Sequence, residues 1–528
     1  MQKNTPQHGV KSKINIQGEG PANDGSSGFE FGRMIHPSVA PAMTLKLSTA
    51  ATLGARMTSR PEAARADSDV PAGYTYFGQF VDHDITSDMT DEATEGDDAS
   101  TDQIEPTDDG LLEQGRSPSL DLDSLYGALS GVRPEFVNGS RFHIGKTSPV
   151  GGVGASDKPL DSDLPRGKER NAIIGDDRND ENLAVAQTHL LFLHFHNAVA
   201  AELEAANPGS APGTIVEQAR DLVTRHYQHV VLHDYLPRII DAAVHEDIIV
   251  KGNRKTLSQG PGELAFMPLE FSVAAFRLGH SQVRQTYEWN ANFGTNDQAG
   301  QGAPTNFRNL FTFSGLSGNL GGLPTLPTNW VADFRRMFDL SGRDFPHLAD
   351  SVTGPMNVTK ALDAYIAPVL GALPGRAAPM NNLAVLNLRR GAMRSLPSGQ
   401  DVSRALPSVK MLTKTQMKEV LDPDFDAEME RLGLYERTPL WLYILLEAAA
   451  VGKGMRLGQL GSTIVADTFR TLVLTSRSSI LAPNGQWEPA QAQAVLGAAA
   501  PLSTLADIIA WTDKRFAVVD PVQDARNA

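Results

Sequence analysis

Four short segments of the sequence combine residues that can move protons, hold charge or bind a metal. The first is YFGQFVDHDIT, in which Gln79 and His83 are four residues apart. If the segment is helical, both side chains lie on one face, and Asp82 and Asp84 point about 100° to either side of His83. One turn can then serve three separate tasks, although a structural polar cluster explains the pattern equally well.

The second segment, GDDRNDEN, places Arg178 and Glu181 three residues apart at the start of a long apolar pattern. Acidic residues at a helix N-terminus are also favoured by the helix dipole, so a capping turn is the simpler interpretation.

The third segment, AFRLGHS, carries Arg277 and His280 three residues apart, with Gly279 allowing a flat group to approach the backbone. The alternative for His280 is an ordinary hydrogen-bonded core histidine.

The fourth segment, RSPSLDLDSLYG, has oxygen-bearing side chains at every second position: Ser117, Ser119, Asp121 and Asp123. Calcium prefers this density of oxygen ligands with several carboxylates. A polar turn that caps its own backbone explains the same pattern. By contrast, His194 and His196 are two residues apart and point about 200° away from each other on a helix, so they and His189 are predicted to pack or hydrogen-bond rather than chelate a metal.

Mainly helical elements are predicted to position these segments. The clearest helix runs over residues 182–206, between an Asp/Asn-rich lead-in and Asn207-Pro208. Further helices are predicted over residues 213–233, 271–287, 358–370, 413–421, 439–451, 457–474 and 489–499. Strand-like runs are few and short. The prediction is one large, mainly α domain with long loops over residues 31–528, preceded by an extended arm over residues 1–30.

Composition excludes several classes of protein. The formal charge of −15 argues against general binding to nucleic acid or anionic membrane. With no cysteine, the chain excludes disulfides, thiolate catalysis and iron–sulfur clusters. Neither a secretory signal nor a run long enough to span a bilayer is recognised. A soluble protein is expected, whose compartment and oligomeric state the sequence leaves open.

Taken in order, the four segments resemble motifs of the peroxidase–cyclooxygenase superfamily of haem proteins. GQFVDHD resembles its distal-histidine segment, RSPSLDLDSLYG its calcium loop, GDDRNDE its catalytic-arginine segment and AFRLGH its proximal-histidine segment. Two more stretches agree, LNLRRGAMRSLPSGQ and LGSTIVADTFRTLVL. The resemblance covers about residues 28–481, and the wording of the motifs is closer to a bacterial member than to the disulfide-bearing animal ones.

The resemblance implies a haem b cofactor held through His280, the proximal ligand of the iron. It places Gln400 as the amide that hydrogen-bonds the other nitrogen of this histidine, and Arg277 near the haem edge. On the opposite side, His83 would move a proton of hydrogen peroxide, Arg178 would stabilise charge on the breaking O–O bond, and Gln79 would position peroxide, water or a halide. A ferryl intermediate would then oxidise small organic donors, halides or thiocyanate.

Two further features are implied by the resemblance. Asp82 and Glu181 occupy positions that form ester bonds to haem in the animal enzymes, so covalent haem is expected; Asn182 replaces a methionine that forms a third link in myeloperoxidase, which disfavours chloride oxidation. A calcium site is expected at Asp84, Ser117, Ser119 (through its backbone carbonyl), Asp121 and Asp123.

Two alternatives belong to other classes. One is a fatty-acid dioxygenase of the cyclooxygenase branch, but those enzymes carry a radical-forming tyrosine three residues before the proximal histidine, where this chain has Arg277. They also lack the distal arginine that Arg178 supplies. The other is a non-catalytic haem-binding or adhesion member, which failure to take up haem would favour.

Overall fold

The structure is a computed structural model that describes residues 29–90, 101–127, 132–152, 154–253, 266–295, 303–343, 345, 355–482 and 486–527. Nearly all of the arm predicted over residues 1–30 lies outside the described residues. Helices account for most of the regular structure, which confirms the predicted mainly α class. None of the helices in these ranges is both long and apolar enough to cross a membrane.

The α-helices of the described residues vary widely in length. In chain order they are α1 Leu47–Met57, α2 Gly73–Ile85, α3 Asp123–Tyr126, α4 Leu183–Ala206, α5 Pro212–Val230, α6 Leu236–Ile239, α7 Ala242–Val244, α8 Gly279–Gln282, α9 Phe307–Thr312, α10 Leu383–Met393, α11 Gly399–Ala405, α12 Lys414–Glu419, α13 Pro423–Arg431, α14 Leu440–Ala450, α15 Gln459–Thr475, α16 Leu505–Phe516 and α17 Pro521–Asn527.

The strands are short and pair only two at a time. They are β1 Phe31–Gly32, β2 Asp67–Pro71, β3 Val137–Asn138, β4 Arg141–Phe142, β5 Met267–Pro268, β6 Thr286–Tyr287, β7 Thr305–Asn306 and β8 Val358–Lys360. β1 pairs with β5 in parallel, with Phe31 opposite Met267, whereas β2–β8, β3–β4 and β6–β7 are antiparallel. Each ladder joins only two short strands, and within the residues that the structure describes the four ladders form no extended sheet.

The central helix α4 is buried along most of its length. Asn182 caps it by accepting the backbone N–H of Val185 at 3.0 Å, and Pro208 cannot continue it. Helices α2, α5 and α16 pack around it. Because α4 is apolar on all faces, its position is fixed by burial on every side rather than by one amphipathic stripe.

Two predicted helices are wrong. Residues 358–370 begin with strand β8, whose Val358 lies opposite Pro71, and continue as loop and a 3-10 turn at Pro368–Gly371. Residues 489–499 form only the 3-10 turn Pro489–Gln491 before irregular turns, one of which has a positive φ at Gly497. Both segments have helix-compatible composition, but tertiary pairing and turn geometry decide their conformation.

The segment predicted as one helix around Arg277 and His280 is divided into three kinds of helix. A π-helical stretch, Glu270–Ala274, is followed by the 3-10 stretch Ala275–Leu278 and then by α8. Arg277 and His280 therefore lie on either side of the junction between the 3-10 turn and α8. The predicted helix also extends too far, since its last two residues belong to β6.

Candidate functional site

Helix α2 carries Gln79, Asp82, His83 and Asp84, as the spacing of the first segment predicts. A close approach to Tyr235 holds it in the core. A Cβ added at Gly78 would lie 2.3 Å from the Tyr235 hydroxyl oxygen, so only glycine allows this contact. The position of His83 is thereby set by rigid helical backbone rather than by a loop.

A chain of side-chain hydrogen bonds runs from His83 into the core. His83 Nδ1 lies 2.9 Å from Asn179 Oδ1, and Asn179 Nδ2 lies 2.9 Å from His189 Nδ1. Asn179 and His189 are fully buried. Because an amide oxygen only accepts hydrogen bonds, Asn179 favours the tautomer of His83 that carries its proton on Nδ1. The lone pair of His83 Nε2 is then available as a base.

The surroundings of His83 favour its neutral form. Burial, followed by the nearby Arg178 guanidinium, lowers the pKa of His83 below 6.5, and the carboxylates of Glu181, Asp176 and Asp82 only partly oppose this. A neutral imidazole can accept a proton at neutral pH, which is what a general base requires.

Arg178 is fixed by a buried carboxylate and by backbone carbonyls of α2. Its Nη2 lies 2.7 Å from Asp176 Oδ2, 2.9 Å from the His83 carbonyl oxygen and 2.8 Å from that of Thr86. Arg116 binds the same Asp176 carboxylate. Burial alone would raise the pKa of Asp176, but the two guanidinium groups outweigh it and hold the pKa well below its usual range.

Gln79 connects α2 to the start of α4. Its amide nitrogen donates to Glu181 Oε1, and its oxygen accepts the Asn182 side-chain N–H at 2.9 Å. The carboxylate of Asp82, one residue before His83, accepts the Thr86 hydroxyl at 3.1 Å. The structure thus joins Gln79 to the Arg178–Glu181 segment, 100 residues further along the chain.

On the proximal side, the amide partner of His280 is Asn387 of α10, not Gln400. The Asn387 amide nitrogen lies 2.7 Å from His280 Nδ1. Gln400 donates to the Tyr435 carbonyl and the Thr438 hydroxyl, each at 2.9 Å, and accepts the Thr438 N–H at 2.8 Å. Its polar atoms are thus committed to the segment before α14, and the prediction for Gln400 is wrong.

The proximal segment has two features that fit a flat anionic cofactor. Arg277 Nε is buried and has no hydrogen-bond partner. Burial, followed by the nearby Arg390, lowers the pKa of Arg277 to about 10, and the carboxylates of Asp82 and Asp88 only partly oppose this. A Cβ added at Gly279 would meet only Thr75 of α2, at 4.0 Å, which leaves open space above the backbone. Haem, with its planar ring and propionates, matches both features.

Asp84 points away from His83 into the loop predicted to bind calcium. It accepts the backbone N–H groups of Leu122 and Ser124 at 3.2 and 3.0 Å and the Tyr227 hydroxyl at 3.1 Å. Burial, followed by the charge of Asp123, raises the pKa of Asp84. The charge of Asp123 therefore acts on Asp84, and within the described ranges neither carboxylate forms an ion pair with an arginine.

The remaining predicted calcium residues interact within the loop. Asp123 Oδ2 accepts the Ser117 hydroxyl at 2.6 Å, whereas Asp121 accepts the Ser119 hydroxyl at 2.8 Å and the Arg477 N–H at 3.1 Å. In the described part of the chain, no three His, Cys, Asp or Glu side chains are arranged to hold a metal ion. A cation here would therefore depend on hydroxyl and carbonyl oxygens as well as carboxylates.

The three histidines of α4 hydrogen-bond within the core, as predicted. His189 contacts Asn179, while His194 Nε2 lies 3.0 Å from the Asp161 carbonyl oxygen. His196 lies between the Tyr126 hydroxyl and the Ser140 carbonyl. These contacts explain their burial without a metal.

His83 of α2 and His280 of α8 lie on two helices that pack against each other, and this arrangement within a mainly α fold fits an oxidoreductase class. The sequence model described as animal haem peroxidase matches residues 153–478, and the chain belongs to this family. A peroxidasin homologue of Caenorhabditis elegans, pxn-2, is 24% identical over 372 residues, which are 69% of this chain and 25% of that protein. The chain therefore spans a quarter of this relative's length.

Solved structures share the fold. Peroxidase A from Dictyostelium discoideum superposes with a TM-score of 0.60 at 16% identity, over 92% of this chain and 93% of that one. A fatty acid alpha-dioxygenase from Oryza sativa superposes with a TM-score of 0.53 at 14% identity, over 90% and 80% of the two chains. At these identities the likeness shows the fold and leaves the reaction open.

Sequence reasoning missed the residues that support the predicted ones. Asn179, Asp176 and Asn387 all lie inside the motifs, but their roles depend on contacts with distant segments. A signal was present for Asn387, because the stretch LNLRRGAMRSLPSGQ contains two amides and the resemblance selects only the stretch. Arg116, which shares Asp176 with Arg178, is the first residue of the predicted calcium-loop segment RSPSLDLDSLYG, and the prediction gave it no role.

Proposed function

We propose that the protein is a haem-dependent peroxidase that reduces hydrogen peroxide and oxidises small organic donors, halides or thiocyanate. The observation that carries the proposal is the hydrogen-bonded chain from His83 through Asn179 to His189, which leaves the Nε2 lone pair of His83 available. His280 with Asn387 would hold haem b from the other side, and Arg277 would pair with a propionate. Haem, when bound, supplies the iron and the redox chemistry.

The residues of the distal side divide the work on peroxide. His83 Nε2 takes a proton from one peroxide oxygen and returns it to the other as the O–O bond breaks, so that water leaves. Arg178 stabilises negative charge on the departing oxygen. Its guanidinium stays charged throughout because Asp176 outweighs the effect of burial and raises the pKa of Arg178. Gln79, held by Glu181 and Asn182, orients peroxide or an ordered water.

Covalent attachment and calcium complete the proposal. Asp82 is the residue before His83 in α2, and Glu181 accepts the side-chain amide of Gln79, so both carboxylates lie close to the proposed distal residues and would form the ester bonds to haem. Asp84, Asp123, Ser117 and the Ser119 carbonyl, together with Asp121, would hold calcium. Burial raises the pKa of both Asp84 and Asp123, and the hydrogen bonds that they accept only partly oppose this, which supports a cation at this place.

An absorption spectrum of the haem-loaded protein before and after an equimolar addition of hydrogen peroxide tests this proposal. A Soret band that shifts with peroxide is expected, and acid–acetone extraction should leave haem on the denatured protein. A Soret band that peroxide does not change would contradict peroxidase function. Extraction of all the haem would contradict only the ester bonds.

Two amide variants test the proximal assignment. Asn387→Ala should weaken haem binding about 10- to 100-fold, since loss of a partner that orients a metal-binding histidine has this effect. Gln400→Ala is the matched control, because it removes a buried amide of the same region that does not contact His280. Equal haem affinity in the two variants would show that Asn387 does not support His280.

The second candidate, a fatty-acid dioxygenase, is supported by the superposition on the plant alpha-dioxygenase. Against this function, Arg277 stands three residues before His280, where enzymes of the cyclooxygenase branch carry a radical-forming tyrosine. Incubating the haem-loaded protein with palmitate and oxygen distinguishes the two functions. Oxygen uptake without added peroxide would favour the dioxygenase, whereas peroxide-dependent oxidation of a phenol, bromide, iodide or thiocyanate favours the peroxidase and identifies the donor class.

A further inference from the structure

A groove on the outer face of α5 is lined in part by Arg220, whose buried Nη1 has no hydrogen-bond partner among the described residues. The groove has a volume of about 850 Å³ and is lined by residues of α4, α5 and the loops around Asp121 and Arg477. Arg220 lies in this lining and is only 9% exposed. This size is within the range of pockets that bind small molecules.

Arg220 makes neither an ion pair nor a hydrogen bond with the described residues, and its Nη1 is fully buried. Its one contact of note is with the Tyr126 ring, whose centroid lies 5.2 Å from the guanidinium carbon. A cation–π contact attracts the charge but leaves the N–H donors unsatisfied. An arginine does not lose its proton, so burial without an anion is costly.

The other charges of the groove are already engaged. Arg477 lies 3.5 Å from Glu217, and Arg225 lies 2.8 Å from Asp221. The Asp121 carboxylate accepts the Ser119 hydroxyl and the Arg477 backbone N–H. Among the described residues that line the groove, Arg220 is thus a cation without a paired carboxylate, and an anion in the groove would supply one.

We propose that this groove binds a small monocarboxylate with an apolar body. A carboxylate matches the fork of N–H donors on a guanidinium and can form two parallel hydrogen bonds with it. Leu203, Leu222 and Val495 supply apolar surface for the rest of the molecule. The acidic side chains at the rim, Glu217 and Asp221, disfavour anions of higher charge, which selects a single carboxylate over a phosphate.

Titration of the haem-loaded full-length protein with sodium benzoate tests the proposal, with cyanide present to occupy the haem iron. Saturable binding by calorimetry is expected, with benzyl alcohol, the neutral analogue, at least about tenfold weaker, as for loss of a charged hydrogen bond. Benzoate should also raise the melting temperature. Absence of saturable benzoate binding, or equal binding of benzyl alcohol, would overturn the proposal.

Three variants locate the binding. Arg220→Gln should weaken benzoate binding about tenfold or more, whereas Lys251→Gln, which removes an exposed positive charge outside the groove lining, should leave it unchanged. Thr214→Trp keeps Arg220 and fills the groove from its exposed edge, so it should abolish binding even if Arg220→Gln does not fold. Benzoate binding that survives Thr214→Trp, or that persists unchanged in Arg220→Gln, would place the ligand elsewhere and contradict the inference.

Discussion

Two buried carboxylate clusters lie on either side of His83, and the protein neutralises them differently. Asp176 is shared by Arg116 and Arg178, which hold its pKa well below the usual range although burial alone would raise it. Among the described residues no arginine forms an ion pair with Asp84 or Asp123, although the charge of Arg116 acts on Asp123, and burial followed by the charge of Asp123 raises the pKa of Asp84. Arginines of the chain neutralise the carboxylate of the first cluster, whereas a cation from solution could neutralise the carboxylates of the second.

This difference assigns distinct roles to the two clusters. The Asp176 cluster holds Arg178 against the carbonyl of His83, so it fixes the position of the Arg178 guanidinium without any bound ion. The Asp84 cluster is adjacent to His83 in sequence, so a cation bound there can act on the same helix turn reversibly. Breaking the first cluster should therefore damage the fold, while emptying the second should have a reversible effect.

The largest expected effect comes from Asp176→Asn. The variant leaves two largely buried guanidinium groups without their shared anion, and removal of one partner from a buried pair typically costs about 3 to 5 kcal/mol of unfolding free energy. Chemical denaturation measures this loss. Asp221→Asn, which breaks the more exposed pair with Arg225, is the control and should cost no more than about 1 kcal/mol. Equal losses would contradict the role of Asp176.

Removal of calcium should have the next largest effect. Calcium at about 100 times its dissociation constant should stabilise the folded protein by about 2.7 kcal/mol, and chelation should abolish this gain. Displacement of His83 should at the same time slow the reaction with peroxide. Both changes should reverse on adding calcium, and unchanged peroxide kinetics in fully depleted protein would refute the coupling.

The variant Asp84→Asn should have effects of opposite sign in the two conditions. Burial and the charge of Asp123 raise the pKa of Asp84 to about 8, so in calcium-depleted protein above pH 8 the substitution removes one of two repelling buried carboxylates and should stabilise the fold by about 1 kcal/mol or more. In calcium-loaded protein it removes a ligand and should raise the calcium concentration needed for full stability. Destabilisation of the depleted protein would show that a cation of the chain, not calcium, neutralises this cluster.

The smallest expected effect concerns the pH dependence of the unfolding free energy. At acid pH, part of the loss of stability should come from protonation of Asp176. A carboxyl group whose folded pKa is depressed contributes stability that is fully present above its unfolded value of 3.8 and is lost as pH falls toward the folded pKa. Unfolding free energy should therefore fall below about pH 4 in the wild type. This slope should be shallower in Asp176→Asn, and identical slopes would mean that other groups cause the loss.

Helical patterns along the chain were sufficient to predict the mainly α fold. The motifs also associated Arg178 with His83, whose carbonyl it contacts, while the association of both with His280 through haem stays a prediction. Local signals also located α2 and α4, because their caps and apolar spacing are contained in the sequence. Residues 358–370 could not be predicted, since β8 forms by pairing with a strand about 290 residues earlier. Gln400 was mistaken for Asn387 for a similar reason, because the choice between two amides depends on which one faces His280.

The central claim is that His83, oriented by Asn179, moves the proton of hydrogen peroxide. Stopped-flow measurement of the reaction of haem-loaded, calcium-saturated protein with hydrogen peroxide tests it most directly, comparing the wild type with His83→Gln and Asn179→Ala. Loss of the base should lower the second-order rate constant about 100- to 10,000-fold in His83→Gln, with a smaller loss in Asn179→Ala. A His83→Gln protein that reacts with peroxide as fast as the wild type would contradict the account.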